Sequence, residues 1–277
     1  FTGGDEVWIE NPGYPPTRQI FGYMGISPVP VAVDQDGIVV SDGYRSAPRA
    51  RAAVVTPAHQ SPLSMSLSLP RRLALLDWAS ETGAWIIEDD YDGEYRYVSR
   101  PLPALKSLDR DGRVFYAGTF SKVLFPAIRL SYLVAPEAEV ERFERTAGAL
   151  SGGAPAFTQA IVSEFMTEGH FARHIQRMRR LYAERRETTV AGLTAALGDR
   201  TRIDPQPGGM HLILRVPGHA DGEVVSRMRA EGLYAEAMSD WMLRGEASPA
   251  ILLNFTNVSS MSMAEGLGNR LGKLLTS

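Results

Sequence analysis

Short apolar runs alternate with longer stretches of helical periodicity through the first half of the chain. Residues 7–10, 28–33, 52–56, 84–89, 114–119 and 130–135 read as strands. Between several of them lie segments such as 71–82, where Leu73, Leu76 and Ala79 fall on one side of a helix. Alternation of this kind predicts an α/β domain built on a largely parallel sheet. Runs such as Trp85-Ile86-Ile87 suit a sheet covered on both faces. From Ala154 to Leu197 the pattern becomes helical: Phe157, Ile161 and Phe165 recur every four residues, and Phe171, Ile175, Met178 and Tyr182 continue at spacings of three and four. Gly169 is expected to punctuate this run without ending it. After Gly208-Gly209, strands at 210–216, 233–237 and 251–255 mix with a helix at 222–231 and a final helix, which reads as a smaller α+β domain. The expected division is a large domain over residues 1–150, then connecting helices and a small domain over 151–277.

Composition narrows the function classes. A length of 277 residues buries one large core or two modest ones, and 44% apolar with 22% charged residues is ordinary for a globular protein. The net charge of −3 argues against this segment gripping nucleic acid, which usually takes a basic excess. It leaves open a DNA-binding domain elsewhere in a longer chain. Cysteine is absent, so disulfides and thiolate metal sites are excluded, and a reducing cytoplasm fits. No apolar run approaches the roughly 20 residues that cross a bilayer, and no signal peptide is legible. The chain opens on Phe1-Thr2-Gly3-Gly4-Asp5, with no initiator methionine, and reaches an apolar strand at once. It reads as beginning inside a domain.

Two constellations carry chemistry. In Ile86-Ile87-Glu88-Asp89-Asp90-Tyr91-Asp92 an apolar strand runs into acids, placing carboxylates where open α/β sheets bind ligands. Taken alone it could equally be a solvated acidic turn or a metal site. In Gly118-Thr119-Phe120-Ser121-Lys122, again after an apolar strand, Arg129 follows seven residues beyond the lysine. Two hydroxyls, an ammonium and a guanidinium can surround a phosphate and leave the amine free. A desolvated lysine near other cations becomes a nucleophile toward carbonyls. A lone lysine is most often a surface residue; its neighbours lift this one above that expectation.

With both constellations in place, the sequence resembles pyridoxal-phosphate (PLP)-dependent aminotransferases of fold type I. More narrowly, it resembles the aminotransferase-like effector domain of the MocR subgroup of GntR-family transcription regulators. The matching stretches are NPGYP from Asn11, VTPAHQSP from Val55, LPRRLALLDWA from Leu69, IIEDDYDGEYRY from Ile86, GTFSK with Arg129, EGHFARHIQRMRRLYAERR from Glu168 and GGMHLILR from Gly208. The resemblance implies that Asp89 pairs with the pyridine nitrogen, Tyr91 with the phenolic oxygen O3′, and that Lys122 forms the Schiff base. It assigns Thr119, Ser121 and Arg129 to the phosphate, Tyr14 to the ring face, and His59 and Gln60 to the site near O3′ and the substrate. It implies PLP as cofactor and no metal, a small amino compound as ligand, a homodimer, and DNA contact only through an N-terminal winged helix-turn-helix.

The match has departures. The family's glycine-rich phosphate turn lies upstream of the residues matching Asp5-Glu6-Val7, so the N-terminal part of the fold is expected to be missing and PLP to be held weakly. Leu63-Ser64 stands where the family has a glycine, which matters if the backbone there needs a positive φ. No arginine for a substrate carboxylate occurs on the strand at 251–255; Arg244 in the preceding loop is a candidate by position only. The readings compared are a ligand sensor, a free-standing class I/II aminotransferase, and a PLP fold kept for dimerisation alone.

Overall fold

The computed structural model describes residues 1–97, 103–151, 155–204, 206 and 208–276. The six apolar runs of the first half all become strands. Strands β1 (Glu6–Asn11), β2 (Ser27–Asp34), β3 (Gly37–Ile38), β4 (Ala52–Val55), β5 (Trp85–Asp90), β6 (Val114–Thr119) and β7 (Ser131–Val134) form one sheet in the order β3-β2-β1-β4-β5-β6-β7. The five central strands are parallel, and β3 and β7 run antiparallel at the two edges. Helices α1 (Pro15–Tyr23), α2 (Val40–Ser46), α3 (Leu69–Thr82) and α4 (Phe120–Val123) belong to this half.

From β1 the chain winds outward to β2 in one direction, then returns to β4 and proceeds through β5 and β6 in the other. The strand order therefore reverses between β1 and β4, and a crevice opens beyond their carboxyl ends. Four of the motifs singled out in the first half lie at the carboxyl end of a parallel strand: NPGYP at β1, TPAHQSP at β4, the acids at β5 and TFSK at β6; the fifth, LPRRLALLDWA, forms α3. The core beneath is aromatic. Trp8 of β1 stacks on Trp78 of α3 at 3.9 Å, and its indole N–H donates to the Ala47 carbonyl at 2.9 Å. Gly43 of α2 lets that ring approach, because a Cβ there would stand 2.7 Å from the indole.

Beyond β7 come α5 (Val140–Ser151), α6 (Ala156–Thr167) and α7 (His170–Leu197). A second, antiparallel sheet follows, made of β8 (Arg202–Ile203), β9 (His211–Arg215), β10 (Glu236–Ala237) and β11 (Ala250–Asn254) in the order β10-β11-β9-β8. Helices α8 (Asp221–Ala230) and α9 (Met261–Thr276) accompany it. Leu193 and Leu197 of α7, Leu212 and Leu214 of β9, Ile251 of β11 and Leu271 of α9 share its buried core.

The structure departs from the sequence pattern at Gly169 and in the short strands, where the expected strand at 233–237 shrinks to Glu236–Ala237. Gly169 does end a helix: it adopts φ 72°, a left-handed conformation, so α6 stops at Thr167 and α7 starts at His170. Strands β3 and β8 are two residues each, too short to register as a periodicity. The expected start of the helical run, Ala154, lies outside the described residues.

The Trp8–Trp78 stack yields a stability prediction. Trp78→Ala should lower the unfolding free energy by about 3–5 kcal/mol, read from the denaturant midpoint at unchanged slope. A loss below about 1 kcal/mol would show that the stack is not central to this core.

Candidate active site

The acids at the end of β5 divide by direction. Glu88 is buried and accepts the N–H groups of Leu105 and Lys106 at 2.8 and 2.7 Å. Asp90 accepts the Tyr116 hydroxyl at 2.8 Å and the Gly93 N–H at 2.9 Å. Asp92 is buried against His59, with 2.9 Å between Oδ1 and Nδ1. Asp89 and Asp92 both line the crevice, but only Asp89 has a carboxylate that no described residue hydrogen-bonds. Burial, reinforced by the negative charges of Asp90 and Asp92, pushes its pKa up to about 6. The acidic run is thus neither a solvated turn nor, among the described residues, part of a metal-holding group of three His, Asp or Glu side chains.

At the end of β6, Gly118 is required because its cross-strand partner is Tyr132, whose ring would stand 2.3 Å from a Cβ. Thr119 then caps α4 by accepting the Ser121 N–H at 3.1 Å, and Ser131 Oγ lies 3.3 Å from Thr119 Oγ1. This single turn presents Lys122. The chain returns through Pro126–Ile128 to Arg129, which adopts φ 48° and ψ 38°. A non-glycine residue rarely enters that left-handed region, and such strain persists where the surroundings impose it, often at functional sites. Lys122 and Arg129 are both exposed to the crevice and carry no ion pair among the described residues. The desolvated lysine expected from sequence is therefore not what the structure has. The crevice is open at α4, so water reaches the amine.

The ends of β1 and β4 close the floor. Gly13 has no room for a Cβ, which would lie 2.2 Å from the Glu10 carbonyl oxygen. The turn it permits puts Tyr14 at the crevice, half-exposed, with its ring 5.8 Å from that of Trp241. Buried Glu10 accepts the Thr56 hydroxyl at 2.6 Å, and burial raises its carboxyl to about 7. Gln60 donates to the Pro12 and Ser61 carbonyls at 2.8 and 2.9 Å. His59 and Gln60 are each 1% exposed and stand behind the crevice, outside its lining. Arg244 also lies outside the lining. Its backbone carbonyl accepts from Asn11 Nδ2 at 2.8 Å, fastening the loop after β10 to the turn after β1. Ser64 does occupy a positive-φ position, at φ 63°, so the serine in place of glycine carries backbone strain.

The resulting cavity measures about 760 Å³. One wall carries Tyr14, Asp89, Tyr91, Thr119, Ser121, Lys122 and Arg129, all foreseen from sequence. The opposite wall comes from the second sheet and its loops: Met210, His211, Trp241, Leu252 and Asn254. Sequence reasoning missed this wall. The one available signal was the two-residue spacing of Leu252 and Asn254, which places both on one face of β11.

A strand-order reversal, a carboxylate at the end of one parallel strand and a lysine at the end of the next agree with known proteins. Residues 1–248 match the family model of aminotransferase class I and II. The chain belongs to that family. Its curated relatives include the probable rhizopine catabolism regulatory protein MocR of Rhizobium meliloti, 36% identical over 267 residues, covering 96% of this chain and 54% of that protein. Another is the HTH-type pyridoxine biosynthesis transcriptional regulator PdxR of Corynebacterium glutamicum, 36% identical over 256 residues, covering 90% of this chain and 53% of that one. Among solved structures, the α-aminoadipate aminotransferase LysN of Thermus thermophilus, complexed with N-(5′-phosphopyridoxyl)-L-leucine, superposes with a TM-score of 0.89 at 25% identity. The match covers 100% of this chain and 72% of that one. The fold is that of the PLP-dependent aminotransferases, and the chain spans about half the length of the curated regulators it matches.

For this aminotransferase-family chain, Asp89 gives a prediction with a definite sign. Its folded carboxyl binds a proton more tightly than the unfolded one, whose reference pKa is 3.8. Ionisation therefore penalises the cofactor-free fold above pH 6, and the penalty vanishes below about pH 4. Asp89→Asn should stabilise the cofactor-free protein by about 1–2 kcal/mol at pH 7.5, discounted for the open crevice, with the gain fading between pH 6 and 4. Denaturant melts across that range check it; a gain independent of pH would contradict the assignment.

Proposed function

We propose that this chain is the PLP-binding, aminotransferase-like effector domain of a MocR/GntR-type transcription regulator, with the cofactor linked to Lys122. The observation that carries the reading is the set of unspent polar groups on one crevice wall. Asp89 has no described hydrogen-bond donor. The Tyr91 hydroxyl is buried without a hydrogen bond of normal geometry, though Ser61 lies close by. Lys122 and Arg129 lack counter-ions among the described residues. This donor set is complementary to PLP: a carboxylate for the ring N–H⁺, a phenol for O3′, an amine for the aldehyde, and Arg129 with Thr119 and Ser121 for the phosphate. Tyr14 flanks the ring face. Bound there, PLP supplies an aldehyde that captures amines and a ring that withdraws electrons.

The relatives' names supply the regulatory half of the proposal, and the ligand sensed is PLP itself or a small amino compound captured on it. DNA contact belongs to a helix-turn-helix domain outside these 277 residues, in line with the net charge of −3. The domain acts as a homodimer in the cytoplasm. Exposed Leu133, Phe143, Leu150, Phe157 and Ile161, on β7, α5 and α6, supply apolar surface of the kind that subunit contacts cover. No helix among the described residues is long and apolar enough to cross a membrane.

The test has two arms. Titration with PLP should raise the visible absorbance of lysine-linked cofactor; Lys122→Ala should abolish it, and Arg129→Gln should require about 10–100-fold more PLP. In the full-length gene product, operator DNA affinity should respond to PLP and lose the response with Lys122→Ala. Steady turnover of an amino donor with a 2-oxo acid, and no DNA response, would favour a free-standing aminotransferase instead.

A further inference from the structure

His59 and Asp92 form a buried polar pair that the proposed cofactor site does not use. Their side chains are 0% and 1% exposed and meet at 2.9 Å. Around them His59 Nε2, Asp92 Oδ2 and Ser64 Oγ are all buried without hydrogen-bond partners. An apolar pair of similar volume often stabilises a fold as well as a buried charged or polar one, so stability alone does not account for this cluster. Its location does. Asp92 follows Tyr91 directly; both line the crevice, and Asp92 is held there by the contact of its Oδ1 with His59 Nδ1, a residue outside the lining. Anchoring the Asp92 carboxylate fixes the peptide that carries Tyr91.

The other edge of His59 meets the second sheet. A Cβ on Gly208 would stand 2.3 Å from His59 Nε2, and one on Gly209 would stand 3.3 Å from Ser64 Oγ and 3.5 Å from Asp92 Oδ2. The turn is tied down further: the Gly209 N–H donates to the Tyr95 carbonyl at 2.9 Å, and the Tyr97 hydroxyl donates to the Gly209 carbonyl at 3.0 Å. Immediately after it come Met210 and His211, which line the opposite crevice wall, with His211 Nε2 2.7 Å from the Pro62 carbonyl oxygen. Three loops, following β4, following β5 and preceding β9, therefore meet at one pair of side chains.

We propose that His59 and Asp92 are a positioning pair that holds Tyr91 and the Gly208-Gly209 turn at a fixed separation across the crevice, in place of the effector contact the resemblance assigned to His59. Its consequence for cofactor binding rests on the PLP reading above. The absence of a side chain at Gly208 is part of the device, because any Cβ there displaces the imidazole.

The test separates positioning from folding. In the PLP-loaded protein, His59→Phe and Asp92→Asn should each weaken PLP at least about tenfold, the loss expected when a hydrogen bond to a charged group is misplaced. Each should also shift the pH midpoint of the lysine-linked PLP absorbance in the same direction as Tyr91→Phe. The double variant His59→Phe/Asp92→Leu should recover the thermal midpoint without recovering either of those readouts. Folded single variants that bind PLP normally with an unshifted midpoint would overturn the pair, as would a double variant that recovers everything. Amide exchange in the cofactor-free chain tests the pair without PLP: His59→Phe should expose residues 89–92 and 208–211 together. Unchanged exchange would overturn the proposal even where PLP binds, whereas coupled exposure in a chain that never takes up PLP would sustain the pair and sink the cofactor reading.

Discussion

Everything at the crevice depends on four parallel strands ending at the same edge of one sheet. The register of β1, β4, β5 and β6 brings the residues that follow Asn11, Val55, Asp90 and Thr119 side by side, although 108 residues separate the first of those strand ends from the last. Because the strand order reverses between β1 and β4, no crossover helix covers that edge, and polar groups there meet solvent or a ligand. The core secures the register. Trp8 and Trp78 stack beneath β1, and the parallel strands are apolar on faces covered by helices.

Within that frame, the chemistry is separated by alternation along single strands. Adjacent acids of β5 face opposite ways, so Glu88 is used to hold the 105–106 backbone while Asp89 stays free beside the crevice. Asp89 is hard to ionise chiefly because it is buried, and the neighbouring carboxylates Asp90 and Asp92 add negative charge that reinforces the effect. A cationic ring nitrogen placed against Asp89 would relieve that repulsion, which is why a burden on the empty fold can become an asset to the loaded one.

Much of this was legible in the sequence because four of the first-half motifs mark the point where an apolar strand turns polar. The strand pattern located the parallel sheet, and Gly118 through Lys122 announced a tight turn bearing hydroxyls and an amine. The opposite wall was not legible. Leu252, Asn254 and Trp241 are ordinary residues of an antiparallel sheet and its loop, and only tertiary packing turns them toward the crevice. His59 illustrates the same limit: its motif was visible, but its direction was set by Asp92 and by the missing side chain at Gly208. Gly169 was misjudged for a local reason, since a glycine within a helical pattern either continues it or caps it, and only the backbone angle decides.

The central claim is that Lys122 is the residue to which PLP is attached. The chain has three lysines, Lys106, Lys122 and Lys273, and Lys106 is paired with Asp109 at 3.0 Å. Incubating the protein with PLP, reducing with borohydride and mapping the peptides by mass reads the attachment directly. The account predicts a phosphopyridoxyl group on the peptide containing Lys122 and on neither of the others. Label on Lys106 or Lys273 at equal or greater yield, or no label at saturating PLP, would contradict it.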